Sequence, residues 1–408
     1  MDKIVNFLLK LFNHKKIRND TQNNHSLNEV INLGIPHVSE IIFESIDTPE
    51  LFQFALVSET WKVLAENVLI KRWKGKMLEA CKSGERKVVQ LLLELCNAEE
   101  SGLNTKDEGG WTPFIWACRN GHKDVVQLLL DHSNTNIDLN ARTNHGMTAF
   151  IGACYNGHKD VVQLLLNLPN IELNARKDCD GSTAFIMACK NGHKNVVQLL
   201  LDHSERIDLN KRDNDGDTAF IWACDKGHKD VVQLLLNHSE RIELNARTID
   251  GWTAVMIACE KGHKDVVQLL LNHSERIELN ARNNNGMTAF LWACFDGCKD
   301  IVQLFLGHSD RIELNARKTD IGFTGLMMAC ELGHKDVVKL LLENSEKIDL
   351  NARHNNGWTA FMIACHMENK DLVQLLLDHS EVVDINIPES FQLSEEIKTL
   401  LKMHSMTV

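Results

Sequence analysis

Gly251–Arg282 reads GWTAVMIACEKGHKDVVQLLLNHSERIELNAR. Two helical patterns share this stretch. The first, TAVMIAC (Thr253–Cys259), is short and almost wholly apolar. The second, GHKDVVQLLL (Gly262–Leu271), places Val266, Val267 and Leu269 to Leu271 on a broad apolar face with polar residues opposite. Gly262 separates the two, and the remainder, NHSERIELNAR, carries loop and turn residues. Neither helix could bury its apolar surface alone, so the unit needs neighbours of its own kind.

The sequence supplies them. Turn glycines recur at Gly110, Gly146, Gly181, Gly216, Gly251, Gly286, Gly322 and Gly357, always 35 or 36 residues apart. A fixed period of this size is the signature of a solenoid. Met77–Cys96 reads as a first unit lacking its turn. LSEEIKTLLKM (Leu393–Met403) reads as a closing helix, with Ser394 as N-cap and Glu395 and Glu396 in its first turn. Atypical ends are expected, because an inner unit at the end would expose its apolar face.

The repeat resembles the ankyrin repeat: a Gly turn, T-P-L-H-x-A, G-H with an apolar run, and a hairpin Asn. Gly251, Thr253, Ala254, Ala258, Gly262, His263, Val266, Val267, Leu269 to Leu271 and Asn280 fill that pattern. The resemblance covers about residues 76 to 403 and implies an all-α fold, a solenoid of helix-turn-helix units that binds proteins. Departures are visible. Only Pro113 keeps the proline, an apolar residue stands where the family has its His, and the loop HSERIEL is longer by about two residues.

Composition agrees with a folded binding protein. The 408 residues are 44% hydrophobic and 25% charged. Net charge is −12, whereas a phosphate-binding surface wants a basic face, so composition points away from nucleic acid. Nine of twelve cysteines (Cys81, Cys118, Cys154, Cys189, Cys224, Cys259, Cys294, Cys330 and Cys365) occupy one repeat position. Stacked units lie about 10 Å apart, too far for a disulfide. Buried thiols in a reducing compartment are expected, in the cytoplasm or nucleus. The GHK histidines (His122, His158, His193, His228, His263 and His334) sit at helix starts without a second ligand type, so structural roles are expected and no metal. The Asp of KDVV, such as Asp124 or Asp230, suits a helix N-terminus. No nucleophile–base pair or phosphate loop is present, and the chain reads as no enzyme, with no cofactor. No stretch reaches the length of a membrane span.

Where near-identical units differ, binding is expected. The residue after the turn Gly is Trp111, Met147, Ser182, Asp217, Trp252, Met287, Phe323 or Trp358. The pair before the second helix begins with Arg119, Tyr155, Lys190, Asp225, Glu260, Phe295, Glu331 or His366. These positions tend to line the concave face of ankyrin proteins. Trp111, Met147, Tyr155, Trp252, Met287, Phe295, Phe323 and Trp358 are therefore the expected contacts to an unknown target protein. A second apolar column (Trp116, Met187, Trp222, Ile257, Trp292, Met328 and Ile363) is expected to serve as core or as packing between repeats.

Residues 1–75 do not repeat. Residues 1–33 read as a short amphipathic helix and a polar linker without stable membrane insertion. Residues 34–75 read as three short helices with more apolar side chains than forty residues can bury alone. Ile35–Pro36, Ile46–Asp47, Leu51, Leu56–Val57–Ser58, Trp61, Leu64–Ala65 and Trp73 resemble the F-box. That resemblance implies docking onto the Skp adaptor of cullin–RING ubiquitin ligases. Pro36, Ile42, Leu51, Leu56, Val57 and Trp61 would form or maintain the contact. The expected domains are thus 1–33, the F-box-like 34–75, the ankyrin array 76–390 and a capping helix with tail at 391–408. The alternative is a plain scaffold that sequesters or tethers its target, with 34–75 as a helical cap. F-box and ankyrin modules together also resemble proteins with which large DNA viruses redirect host ligases, although poxvirus versions carry the F-box at the C-terminal end.

Overall fold

The computed structural model describes residues 76–95, 102–132, 136–388 and 391–405. The F-box-like segment and its six residues Pro36, Ile42, Leu51, Leu56, Val57 and Trp61 lie outside them. Among the described residues every regular element is an α-helix. The chain divides into two compact units, residues 1–144 and 145–408. The first holds helix pairs Met77–Ser83/Arg86–Leu95 and Pro113–Arg119/Lys123–Asp131. The second holds seven pairs, from Ala149–Tyr155/Lys159–Leu166 to Ala360–His366/Lys370–Leu377, closed by Glu395–Ser405. Within each unit first helices pack on first helices and second on second, so each unit is a stack.

Most pairs are built alike, although Thr253 makes no cap bond and the first pair starts at Lys76. The Thr of TAFI stays extended and accepts from the amide three residues on, as Thr218 does from Ile221 at 3.3 Å, which starts the first helix. Ala and Cys side chains on that helix are completely buried and let neighbouring helices approach. The helix stops at a left-handed glycine such as Gly227, φ 69°. A Cβ there would lie 2.7 Å from His263 Nδ1 of the following unit, so close approach also demands glycine. The second helix buries Val231, Val232 and Leu235.

The units are then tied by side chains that the repeat supplies. His193, His228, His263 and His334 meet the carbonyls of Tyr155, Lys190, Asp225 and Phe295 at 2.7–3.0 Å. In the first unit His122 meets Lys82 O at 3.0 Å. These histidines staple successive units. The Asn of LNAR forms a second ladder. Asn245 Nδ2 donates to Arg276 O at 2.9 Å, and its Oδ1 accepts from Glu278 N at 2.9 Å. Asn174, Asn210, Asn280, Asn315 and Asn351 repeat this pair of bonds. The Asp of KDVV does more than face a helix N-terminus. Asp265, Asp300 and Asp371 each pair with a Lys one unit earlier at 3.3–3.4 Å, although such exposed pairs are worth only tenths of a kcal/mol.

The nine repeated cysteines are free and buried. Loss of hydration pushes the Cys81 and Cys365 thiols up to about 12 and raises the other seven as well, which keeps them protonated and unreactive.

Candidate interaction face

The residues after the turn glycine and the ends of the first helices come together along one edge of each stack. In the first unit Trp111 stacks on Trp116 with ring centroids 4.7 Å apart, and the Arg119 guanidinium lies 4.7 Å over Trp111. In the second unit the edge is richer. Trp252 stacks on Trp292 at 4.5 Å, and Phe295 meets Trp292 edge-on at 5.4 Å. Phe323 lies 5.1 Å from His354, and Trp358 packs against His366 at 5.1 Å and Phe391 at 4.8 Å.

The expected contacts divide by depth. Tyr155 and Phe295 are each 38% exposed, while Trp111, Met147, Trp252, Phe323 and Trp358 are half-buried. Met287 departs from expectation. At 3% exposure it belongs to a cluster with Leu291, Ala316 and Met328, roofed by Trp292 and Phe323, so it supports the face from beneath. The column expected as core or inter-repeat packing divides between the two. Met187, Ile257, Met328 and Ile363 are buried, but Trp116, Trp222 and Trp292 are only half-buried and join the face. An indole is too large for the slot that an Ile or Met fills. Its outer edge must emerge beside the turn residue. Phe391, in the segment before the closing helix, was not among the expected contacts.

Polar groups fix the tryptophans. Asp107 Oδ1 accepts from the amides of Gly109 and Trp111 at 3.0 and 2.9 Å, and its Oδ2 accepts from Trp116 Nε1 at 3.0 Å. Asp213 does the same for Asp215 N, Asp217 N and, at 2.7 Å, Trp222 Nε1. At the third tryptophan the residue is Asn283. Its Oδ1 accepts from Asn285 N and Met287 N at 3.1 and 3.0 Å, which turns Nδ2 to where Asp has its second oxygen. Asn283 Nδ2 and Trp292 Nε1 are both buried donors without an acceptor.

In the second unit the face is acidic around Asp217. Asp217 is pushed up to about 7 by burial and then by Asp213, Asp215 and Asp225. Between Trp292 and Phe323 the edge opens into a cleft of ≈190 Å³ lined also by Phe295, Met328, Lys318 and Glu331. A larger hollow of ≈760 Å³ lies among the LNAR loops around Arg282, Glu313 and Arg317, where the asparagine ladder already engages the backbone.

A family model described as ankyrin repeats (three copies) matches residues 77–177, 169–248, 238–318 and 312–388. The chain belongs to the ankyrin-repeat family. No curated protein matches it. Ankyrin repeats are protein–protein interaction scaffolds rather than catalysts, and the aromatic edge is suited to that task. Among the described residues no helix is long and apolar enough to cross a membrane, and no group of His, Cys, Asp and Glu is arranged to hold a metal.

Proposed function

We propose that this ankyrin protein is the substrate-recognition subunit of an SCF-type cullin–RING ubiquitin ligase. Residues 34–75 dock the Skp adaptor, through or supported by Pro36, Ile42, Leu51, Leu56, Val57 and Trp61. The ankyrin face holds the target with Trp111, Met147, Tyr155, Trp252, Phe295, Phe323 and Trp358, while Met287 braces the rings from below. The chain then supplies proximity, raising the effective concentration of target lysines near the charged enzyme.

The observation that carries this proposal is the order of residues from Ile35 to Trp73 placed directly ahead of a recognition array. The half-exposed rings support the recognition half, since aromatic side chains dominate the energy of protein contacts. The test is copurification of the full chain with a eukaryotic Skp adaptor, beside Leu51→Asp and Trp61→Ala. Circular dichroism first establishes that both variants keep their helix content and melting. Binding by the wild type and loss in the folded variants is the expected result. Failure of the wild type to bind leaves a plain ankyrin scaffold with 34–75 as its cap.

A further inference from the structure

The tryptophans of the first-helix column do not meet the same surroundings. Lys190 Nζ lies 3.3 Å from the Trp222 ring centroid and Lys226 Nζ 5.4 Å from it. Trp116 has Lys82 at 5.0 Å and Arg119 at 5.3 Å. Both rings are thus covered by resident cations, from the residue after Cys in the preceding unit and from the end of their own helix. A ring face attracts a cation through its quadrupole, so each pair is a satisfied arrangement.

Trp292 has a ring in place of a cation: Trp252 of the preceding unit stacks on it at 4.5 Å. The position of Lys190 is taken by Glu260 and that of Lys226 by Asp296. Among the described residues no Lys or Arg lies over its ring. The nearby cations are engaged: Lys261 pairs with Glu260 at 3.1 Å and Lys318 with Asp320 at 3.1 Å. The cleft beside the ring is walled by Phe295, Phe323 and Met328 and carries Glu331. Three aromatic rings with the Glu331 carboxylate beside them offer a cation what the other two tryptophans already give to one. Burial, and then the neighbouring Glu260, raise the Asp296 carboxyl, while His334 and Lys261 lower it.

We infer that the Trp292 cleft receives a basic side chain, lysine or arginine, from a polypeptide partner, with the apolar residues beside it lying on Phe323 and Phe295. This rests on the ankyrin face being the target-binding face. It adds the chemistry of the residue recognised. The partner cation enters beside Trp292 from the cleft, and Glu331 in the cleft lining supplies the counter-charge.

The probe is a displayed library of random twelve-residue peptides selected on the full chain, with the recovered peptides measured by fluorescence anisotropy. Recovered peptides are expected to be enriched in a Lys or Arg next to an apolar residue. Replacing that basic residue by Ala should weaken binding at least tenfold. The double variant Glu260→Lys/Asp296→Lys installs resident cations and should cost a similar factor with circular dichroism unchanged. Glu240→Lys/Glu275→Lys, an equal charge change at exposed loop positions, should leave binding within about twofold. Peptides that bind the aromatic face without a basic residue, or bind the Glu260→Lys/Asp296→Lys chain as tightly as wild type, overturn the inference and leave the target-binding face standing. Recovery of no peptide at all overturns both.

Discussion

Replacing Asn283 by Asp should stabilise this protein, although it buries a charge. Asn283 is 5% exposed, with Oδ1 committed to two backbone amides. A flipped amide would aim Nδ2 at those same N–H groups, so the orientation is fixed by the turn. Nδ2 and Trp292 Nε1 are then two buried donors without acceptors. Each such group costs about 1–3 kcal/mol. Asn283→Asp removes one donor and gives the other a charged acceptor, worth about 1.5–3 kcal/mol. Against this stands carboxylate desolvation of a few kcal/mol. Three N–H donors offset much of it, as they do around the 7% exposed Asp213. The expected net gain is about 1–2 kcal/mol. Asp213→Asn is the mirror experiment and should lose a comparable amount by orphaning Trp222 Nε1. Because repeat arrays need not unfold in one step, urea midpoints followed by tryptophan fluorescence should be joined by amide hydrogen exchange across residues 283–307. Slower exchange there in Asn283→Asp, and faster exchange around 213–237 in Asp213→Asn, is expected. An Asn283→Asp protein no more stable than wild type, together with an Asp213→Asn protein that loses nothing, would refute the reasoning.

Three further outcomes are expected. Cys298 stands where other units have the stapling His, and only its Sγ, at 4.0 Å, approaches a Cβ built on Gly262, against 2.7 Å for His263 at Gly227. Cys298→His should add an inter-unit hydrogen bond of about 0.5–1.5 kcal/mol, seen as a raised urea midpoint. Asn245→Ala removes both of its ladder bonds and should cost about 1–3 kcal/mol, with exchange of the Glu278 amide accelerated relative to that of Glu313. Asp217 has a folded pKa of about 7, above its ordinary carboxylate value, so it binds a proton more tightly in the folded state. Its contribution to stability is fully present below about pH 4 and is lost as pH rises through 7. Asp217→Asn should therefore melt higher than wild type at pH 8, and the difference should vanish at pH 4.

The helix pairs were legible because each unit carries its own punctuation. Thr starts the first helix, Gly ends it, and Val and Leu fall at helical spacing in the second. Repetition then made the match hard to miss, and the same alignment separated structural histidines from ligands. Depth on the interaction face was not legible. Met287 and Trp252 hold the same place in the repeat, yet Met287 is buried and Trp252 only half so. What decides is the neighbouring unit, where Trp292 and Phe323 close over a flexible methionine. Trp292 fell within an expectation of core or inter-repeat packing, and the sequence did not say which. Indole size and the Asp or Asn behind it decide for packing between repeats. Phe391 sits outside the repeat, so no comparison between units could flag it.

The paired bonds of each LNAR asparagine reach only the next unit, and they are the same bonds at almost every junction. Excising the 35 residues from Arg212 to Ala246 would rejoin Lys211 to Arg247 and bring together two surfaces already matched to such partners elsewhere in the chain. In-frame recombination between neighbouring copies can therefore lengthen or shorten this protein by whole units while its folding rules stay intact. Length and the order of displayed residues can thereby change by whole units, without rebuilding a core.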